Sequence, residues 1–363
     1  MNVTGIVVEY NPFHYGHIHH INQTKGISNC DVLIAVMSSN FVQRGEPAII
    51  NKWERTKFAL SHGVDIIVEL PFVYSTQSAS EFATASINIL KLLGVNSIVF
   101  GSECNSIHTL MSHVNSEQEI KFDPKLSTVK NYETANGGLG PNDILASCYL
   151  KAIGDSKIVP YTIQRTNAYH DDKLNSTLSS ASAIRKGIAN NKDISEATPM
   201  ASLLSNTNTL DKYYPLIRAK LLGSTPLELK KIFMFDEGIE NMFIKQATKN
   251  YEFHSFINSC ISKRYTRAKI CRTLIHLIND TKKECINTLP VLSKVRVLGF
   301  NDIGRNYLAT LDSNVYTTNI SDYEEPYKSI ELKATRMYTY PLTPIEQKEI
   351  ELLELKGPIY YKK

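Results

Sequence analysis

Two histidines near the N-terminus are the side chains of this sequence best suited to phosphate chemistry. His14 and His17 lie on either side of Gly16, in the segment His-Tyr-Gly-His. Imidazole groups can donate hydrogen bonds to charge that develops on a phosphoryl group. A glycine beside them lets a phosphate approach the backbone without a Cβ in the way. Since residues three apart on a helix can face one ligand, we interpret His14 and His17 as the catalytic residues.

The elements on either side of the histidines predict how the rings are held. A β-branched run, residues 5–8, is typical of a buried parallel strand. Asn11-Pro12 then ends the run, because the residue before a proline avoids helical angles. The histidines fall where the chain enters a helix, and the free N–H groups and dipole of a helix start favour an anion. A strand, a turn and a helix are therefore expected to present both rings to a phosphate.

A metal site is the main alternative use of this histidine-rich segment, because histidine is the commonest metal ligand. His17, His19 and His20 would be the ligands. Zinc sites, however, need three or four convergent ligands, and no cysteine or carboxylate at suitable spacing completes such a set. We expect no metal site, and we interpret His19 and His20 as ordinary helix residues.

The composition is that of an ordinary protein of about two domains. The chain has 363 residues, of which 42% are hydrophobic and 21% are charged. No apolar run approaches the length of a membrane span, and no signal-peptide pattern opens the sequence. The six cysteines are scattered without a Cys-x-x-Cys pair, which is typical of reduced cytosolic thiols. We expect a cytoplasmic protein without a membrane partner, and its oligomeric state is left open.

The first half alternates apolar runs with helical patterns, which predicts an α/β domain with a parallel sheet over residues 1–190. The predicted strands are residues 4–9, 31–37, 65–69, 97–100 and 157–164, and the predicted helices are residues 18–25, 52–61, 79–93 and 143–153. Ligands bind at the carboxyl ends of the strands in such sheets. Arg44, in a long polar loop at one of those ends, is interpreted as a grip for phosphate or carboxylate. The charges of residues 52–57 are interpreted as a solvated helix face.

The second half, residues 191–363, is predicted to be a mainly helical domain, with a small mixed appendage from residue 294 onward. In that appendage residues 295–299 and 336–340 look strand-like. Charge is uneven between the halves: residues 1–190 carry 15 Lys and Arg against 16 Asp and Glu, and the remainder carries 25 against 20. The small basic excess of the second half favours contact with a polyanion.

Two further segments are candidate anion sites. Small hydroxyl residues open a helix near residue 180, and we take Ser182, Arg185 and Lys186 as phosphate-binding candidates. A plain capped helix start would look similar. The densest basic patch, residues 262–272, could hold a phosphodiester backbone, and its Tyr265 could stack on an unpaired base. A solvated helix face is the alternative interpretation of such a charge run. The nucleic-acid-binding candidates in the patch are Lys263, Arg264, Arg267, Lys269 and Arg272.

These motifs resemble those of a known family. His-x-Gly-His after a first strand resembles the signature of the nucleotidyltransferase superfamily, whose members bind ATP and release pyrophosphate. Longer blocks closely resemble the bacterial tRNA(Met) cytidine acetate ligases: residues 8–17, 37–48, 68–72, 100–103, 141–145, 169–171, 180–186 and 263–266. The resemblance implies a Rossmann-like, HUP-type nucleotidyltransferase domain followed by a mainly helical tRNA-binding domain.

The same resemblance implies the reaction and its partners. Such an enzyme uses ATP to activate acetate as acetyl-adenylate, and transfers the acetyl group to the wobble cytidine of elongator tRNA(Met), forming N4-acetylcytidine. Mg²⁺ is expected with ATP, bound mostly through phosphates and water. The implied ATP-binding residues are Val7, Val8, Glu9, Tyr10, Asn11, Pro12, Phe13, His14, Tyr15, Gly16, His17, Ile18, His19, His20, Gly101, Asn142, Arg165 and Thr166.

Two other functions remain open at this stage. A small-molecule adenylyltransferase, or a carboxylate-amine ligase that acts without RNA, would share the histidine motif but would not need a basic helical half. A catalytically silent RNA-binding module would release no pyrophosphate. The sequence leaves open which residues hold acetate and which contacts select the anticodon.

Overall fold

The structure is a computed structural model that describes residues 1–116, 140–165 and 179–362. Its strands are β1 (Val3–Val8), β2 (Val32–Ser38), β3 (Phe41–Val42), β4 (Glu46–Pro47), β5 (Ile66–Leu70), β6 (Ser97–Ser102), β7 (Val159–Gln164), β8 (Val295–Asn301), β9 (Tyr316–Thr317) and β10 (Ile359–Tyr361). The main sheet has the order β10-β8-β5-β2-β1-β6-β7, with β9 paired to β8, and β3 and β4 form a separate hairpin.

Helices surround this sheet and fill most of the second half. The α-helices are Tyr15–Ser28, Lys52–Ser61, Phe72–Ser75, Ala79–Leu92, Ile107–Ser116, Pro141–Ile153, Ala181–Ala189, Tyr214–Leu222, Pro226–Leu229, Ile239–Lys249, Phe253–Cys260, Arg267–Ile278, Lys283–Asn287, Asp302–Leu308, Tyr327–Thr339 and Pro344–Leu355. Short 3₁₀ helices cover Ala201–Leu203, Leu210–Tyr213 and Ile320–Asp322.

The five strands of the first half are parallel, in the order β5-β2-β1-β6-β7. Strand β1 lies at the centre, with the strands that follow it placed first on one side and then on the other. This arrangement leaves a crevice between the carboxyl ends of β1 and β6, where the strand order reverses and α/β sheets bind ligands. The predicted fold class, an α/β domain with a parallel sheet followed by mainly helical structure, is confirmed.

Both faces of the sheet are covered, which explains the near-continuous apolar runs of its strands. Side chains alternate along β2, so that Leu33 and Ala35 pack on one face while Ile34 and Val36 pack on the other. Tyr15–Ser28 and Lys52–Ser61 cover the first face, and Ala79–Leu92 and Pro141–Ile153 cover the second. The sheet is thereby held rigid beneath the loops at its carboxyl edge.

The chain returns to this sheet after the helical region. Strand β8 pairs antiparallel with β5, and β10 pairs parallel with β8. The interpretation of the tail as a small appendage is therefore wrong: residues 295–299 are part of the central sheet, and residues 336–340 lie at the end of a helix. The domain boundary after residue 190 stays a prediction, but the sheet draws strands from both sides of it.

A separate apolar core unites the helical region. It is formed mostly by the helices between residues 210 and 278, and Phe41 and Phe72 from the first half join it. Phe41 packs edge-on against Phe72 and Tyr338, with ring centroids 5.5 and 5.9 Å apart. The two halves thus share buried aromatic contacts beside the loop that follows β2. Within the described ranges, none of the helices has the length and apolar character that a membrane crossing requires.

Candidate functional site

The two histidine rings of the first motif lie against each other at the start of the helix Tyr15–Ser28. His14 is the N-cap residue, in extended conformation, and its ring centroid is 3.7 Å from that of His17. The backbone N–H of His14 donates to Nδ1 of His17 over 3.1 Å. A neutral His17 ring therefore carries its proton on Nε2, since Nδ1 is the acceptor. His17 is thus oriented as a donor through Nε2.

A tight turn brings these rings to the end of β1. Tyr10 adopts the left-handed backbone region, with φ 53°, which costs a non-glycine residue about 1–2 kcal/mol. Its ring is buried, 4.8 Å from Phe13 and 4.8 Å from His17 between centroids. Gly16 is required here, because a Cβ at that position would come within 2.8 Å of Cε1 of His14. Aromatic packing and a missing Cβ together fix the histidine pair.

Burial keeps both histidines uncharged. It lowers the pKa of His14 to about 3, and the charges of Arg165 and Arg185 act in the same direction. The pKa of His17 is also held well below its ordinary value, first by burial and then by His14. Nδ1 of His14 is buried without a hydrogen-bond partner among the described residues. At neutral pH the pair can therefore donate N–H groups to an anion without adding positive charge.

Three arginines supply the positive charge around the histidines. Burial lowers the pKa of Arg185. The charge of Glu46 raises this pKa, and the charge of Arg44 lowers it. Burial and the charge of Arg44 also lower the pKa of Arg165, whereas the charge of Glu103 raises it. Arg44, Arg165 and Arg185 therefore lie close enough to repel one another. Such a concentration of guanidinium groups is suited to binding a polyphosphate.

Arg165, at the end of β7, is oriented by the neighbouring helix. Its Nη1 donates to the side-chain oxygen of Asn142 over 3.2 Å, and its aliphatic stem packs over Gly101, where a Cβ would lie 3.2 Å from Cγ of Arg165. Asn142 donates in turn to Glu103 over 2.5 Å. The helix begins at Pro141 with Gly140 as N-cap. The helix therefore starts two residues before the predicted start at residue 143, and the Asn142 side chain orients Arg165.

The serine-rich segment forms the helix Ala181–Ala189. Ser180 is a conventional N-cap, whose hydroxyl accepts the backbone N–H of Ala183 over 3.1 Å. Arg185 extends from this helix to the β1 turn, where Nη1 donates to the carbonyl of Asn11 over 2.7 Å. Ser182 lies beside Arg185, with 3.5 Å between its hydroxyl and Nη2, while Lys186 is exposed. The segment is thus both a capped helix start and a source of one site arginine.

The loop after β2 reaches the same region from the opposite side. The backbone N–H of Gln43 donates to Oε1 of Glu9 over 2.8 Å. The charge of Arg44 lowers the pKa of Glu9, although burial raises that pKa overall. Glu9 and Arg44 therefore lie together at the carboxyl edge of the sheet.

Arg55 is a positioning residue that sequence reasoning missed. It is fully buried, and Nη1 donates to the carbonyls of Glu9 over 2.7 Å and Ser38 over 3.0 Å. It thereby ties the end of β1 to the end of β2. The interpretation of residues 52–57 as a solvated face is wrong, because Lys52 and Arg55 have no exposed surface. Their carbonyl and carboxylate partners lie far along the chain, so no local pattern identified them.

The basic patch of residues 262–272 divides into two parts. Lys263, Arg264 and Arg267 are exposed, and Arg264 is paired with Glu237 over 3.0 Å. Lys269 and Arg272 are half-buried, and Nη1 of Arg272 donates to the carbonyl of Gln43 over 3.1 Å.

The aromatic residue of this patch is also turned inward. Tyr265 is buried, and its hydroxyl donates to the carbonyl of Glu237 over 2.9 Å. The expectation that Tyr265 stacks on a base is therefore wrong. Among the five basic candidates, Lys263, Arg264 and Arg267 are more accessible to an RNA backbone than the half-buried Lys269 and Arg272.

Some predicted features lie outside the described ranges or have no counterpart within them. Thr166 and residues 169–171 belong to the segment that the structure does not describe. Within the described residues, no group of three or more His, Cys, Asp or Glu side chains is arranged to hold a metal ion. His19 is exposed, while burial lowers the pKa of His20 to about 4, with Arg165 as the next cause.

Comparison with known proteins finds relatives that match nearly the whole chain. A family model described as HIGH Nucleotidyl Transferase matches residues 1–351. The tRNA(Met) cytidine acetate ligase of Oceanobacillus iheyensis is 35% identical, covering 99% of this chain and 100% of the relative. That of Caldicellulosiruptor saccharolyticus is 37% identical, with 99% of each chain covered.

Solved structures give the same result. The apo crystal structure of Thermotoga maritima TmcAL is similar with a TM-score of 0.89 and 27% identity, over 100% of both chains. The same protein bound with alpha-thio ATP is similar with a TM-score of 0.87 and the same identity and coverage. Together with full-length matches above 30% identity, these likenesses show that the chain belongs to the tRNA(Met) cytidine acetate ligase family, within the HIGH nucleotidyltransferases.

Proposed function

We propose that this protein activates acetate with ATP and transfers the acetyl group to the wobble cytidine of elongator tRNA(Met). The observation that carries the proposal is the pairing of two uncharged histidines with surrounding arginines at the crevice between β1 and β6. The names of the family relatives, and a related structure that holds an ATP analogue, support the same reaction.

The first step requires positioning and charge neutralisation more than proton transfer. A carboxylate oxygen of acetate attacks the α-phosphorus of ATP, and pyrophosphate leaves on the opposite side. We assign His14 and His17 to the α-phosphate, where neutral N–H donors follow the charge of the transition state. Arg165 lies across the same crevice, beside Gly101 and Asn142.

The outer phosphates are assigned to the helix Ala181–Ala189. Its N-terminal backbone groups favour an anion, and Arg185 is already fixed by its bond to the carbonyl of Asn11. Ser182 and Lys186 are on the same helix, one turn apart. Mg²⁺ would accompany the triphosphate through its oxygens and water, and none of the steps assigned to this chain's residues depends on a protein-bound metal.

The second step delivers the acetyl group to RNA. The cytidine amine attacks the carbonyl carbon of acetyl-adenylate, and AMP is the leaving group. We assign Lys263 and Arg267, the exposed members of the basic patch without a described ion pair, to the tRNA backbone. Lys269 and Arg272 remain candidates that are partly occupied by contacts within the protein. The tRNA substrate would place the enzyme in the cytoplasm.

Labelled acetate tests the proposal. The protein is incubated with ATP, Mg²⁺, radiolabelled acetate and bacterial tRNA, and the RNA is then digested to nucleosides. We expect label in a nucleoside with the mass of N4-acetylcytidine, only when ATP and tRNA are both present. Acetate-dependent pyrophosphate release without label in RNA would support the small-molecule ligase instead. An absence of pyrophosphate release with acetate would contradict adenylation.

A further inference from the structure

Glu9 is a carboxylate of this site to which the proposed reaction assigns no chemical step, although the family resemblance places it among the residues that contact ATP. It directly follows β1, five residues before His14, at the crevice where the ligand is expected. Its side chain is half-buried, and one hydrogen bond to it is found among the described residues, from the backbone N–H of Gln43 to Oε1 over 2.8 Å. A second carboxylate oxygen is therefore left for another partner.

Two other carboxylates at this edge, Glu103 and Asp143, already accept several hydrogen bonds. Glu103 accepts the side chain of Asn142 through Oε1 and the backbone N–H of Asp143 through Oε2, the latter over 2.8 Å. Asp143 accepts the hydroxyl of Ser102 over 2.5 Å and the backbone N–H groups of Glu103 and Cys104 over 2.8 and 3.1 Å. Both side chains thus close the turn after β6 onto the helix Pro141–Ile153. Both oxygens of each of these carboxylates accept a hydrogen bond, whereas only Oε1 of Glu9 has one among the described residues.

Charged groups face Glu9 from every side of the crevice. Arg44, Arg55 and Arg185 lower its pKa from three different elements, whereas burial, the largest influence, raises it. The charge of Glu9 in turn raises the pKa of Tyr149 on the helix Pro141–Ile153, although burial is the main cause there. Glu9 therefore lies at the carboxyl edge of the sheet, within electrostatic reach of the loop after β2 and of the helix Pro141–Ile153.

Acetyl transfer needs a group of this kind, because the lone pair of a cytidine amine is delocalised into the base. Such an amine is a weak nucleophile, and a neighbouring base that removes its proton assists the attack. We propose, resting on the proposed function, that Glu9 accepts the proton of the cytidine N4 amine during acetyl transfer. The N4–carbon bond forms, and the bond from the carbonyl carbon to the phosphate oxygen breaks. AMP leaves with that electron pair, and the N4 proton passes to the Glu9 carboxylate.

The position of Glu9 is linked to the helical half through one loop. Gln43 donates its N–H to Glu9 and accepts Arg272 at its carbonyl. Gly45 of that loop is pressed onto the helix Arg267–Ile278, so that a Cβ there would lie 2.1 Å from the backbone nitrogen of Arg272. The helix that begins with the exposed Arg267 therefore supports the loop that orients Glu9. Under the proposed function, tRNA bound to that helix would contact the element that supports the loop of Glu9.

The substitution Glu9→Gln separates this role from a structural one. A glutamine keeps an oxygen that can accept the Gln43 N–H, but it cannot take up a proton at neutral pH. Two rates are measured on each variant: acetate-dependent exchange of pyrophosphate into ATP, and single-turnover transfer to tRNA from synthetic acetyl-adenylate. We expect Glu9→Gln to slow transfer by about 10²–10⁴-fold, and to slow exchange by a much smaller factor. His17→Ala, the matched control, should impair the exchange reaction severely.

The pH profile gives a second readout. In the wild type, transfer should rise with pH as Glu9 loses its proton, and Glu9→Gln should abolish that ascending limb. Equal loss of exchange and transfer in Glu9→Gln would overturn the proposal, because it would show that Glu9 acts by binding ATP or Mg²⁺, or by holding the loop of Gln43 in place. Full retention of transfer would overturn it too. Failure of the wild type to use acetyl-adenylate at all would instead contradict the proposed function.

Discussion

Two groups of charged side chains, one at the carboxyl edge of the sheet and one beneath it, are built on opposite principles. The buried ion-pair cluster consists of Lys52, Glu69, Arg296 and Glu354, all with side chains at most 1% exposed. Lys52 Nζ lies 2.5 Å from Glu69 and 2.8 Å from Glu354, and Arg296 pairs with both carboxylates. Two cations and two anions neutralise one another.

The group at the edge of the sheet is not closed in this way. The crevice cluster consists of His14, His17, Arg44, Arg165 and Arg185. Arg165 donates to the amide oxygen of Asn142 and Arg185 to the backbone carbonyl of Asn11, and both of these acceptors are neutral. Glu9, Glu46 and Glu103 act on the arginines from nearby, but the hydrogen bonds described for Arg165 and Arg185 leave the charge of these two side chains available to an anion. The difference shows that burial of charge alone does not mark a site in this fold. A site is marked by charge whose compensation is incomplete.

A substitution in the buried ion-pair cluster should lower the free energy of unfolding and leave the catalytic rate nearly unchanged. Although burial lowers the pKa of Arg296, Glu354 and Glu69 raise it more, so the guanidinium remains charged. Arg296→Met leaves two carboxylates facing Lys52 alone in a buried site, and we expect a loss of about 3–5 kcal/mol in the free energy of unfolding. Urea denaturation measures this loss. At a temperature where the variant is folded, its pyrophosphate exchange should remain close to wild type.

A surface ion pair is the matched control for Arg296. Lys57 lies 2.6 Å from Glu54, but its side chain is half exposed. Exposed pairs of this kind contribute about 0–1 kcal/mol, so Lys57→Met should change the unfolding free energy little. A similarly small effect for Arg296→Met would show that the buried cluster contributes no more than a surface pair. Loss of exchange by folded Arg296→Met would show that it is part of the site.

Breaking the crevice cluster should have the reverse result. His17→Ala removes the proposed α-phosphate donor and also the acceptor of the His14 N–H. We expect acetate-dependent pyrophosphate exchange to fall by about 10²–10³-fold, as for loss of one preorganised donor. Exchange kinetics and the denaturation midpoint are measured together, with the exposed His254→Ala as control. Unchanged exchange by folded His17→Ala would contradict the assignment of the histidine pair.

The sequence predicted the crevice better than the buried cluster because the crevice is built from short-range signals. The strand, the turn at Asn11-Pro12 and the helix start are adjacent in the chain, so local patterns place His14 and His17 correctly. The buried cluster joins Lys52 to Glu354, 302 positions apart. No local pattern identifies such a partner, and the local charge pattern predicts a solvated lysine instead. The assignment of β8 to an appendage failed for the same reason.

The basic patch also shows that local sequence patterns do not reveal contacts with distant segments of the chain. Five basic residues were equal candidates from their spacing, but the structure turns Arg272 toward Gln43 and pairs Arg264 with Glu237. Burial also lowers the pKa of Lys269. Composition identifies a charge run correctly, while only the packing of neighbouring elements decides which charges face outward.

The smallest expected effect is on RNA binding, when exposed basic residues of the patch are replaced. If Lys263 and Arg267 contact phosphates, replacing both with glutamine should make the plot of log affinity against log salt concentration less steep by about 0.7–0.9 for each contact. We expect tRNA affinity to fall by roughly tenfold at physiological salt on the same grounds, with exchange unaffected. Arg264→Gln, already compensated by Glu237, should change the slope less. Equal slopes for the double variant, Arg264→Gln and the wild type would mean that tRNA binds elsewhere on the protein.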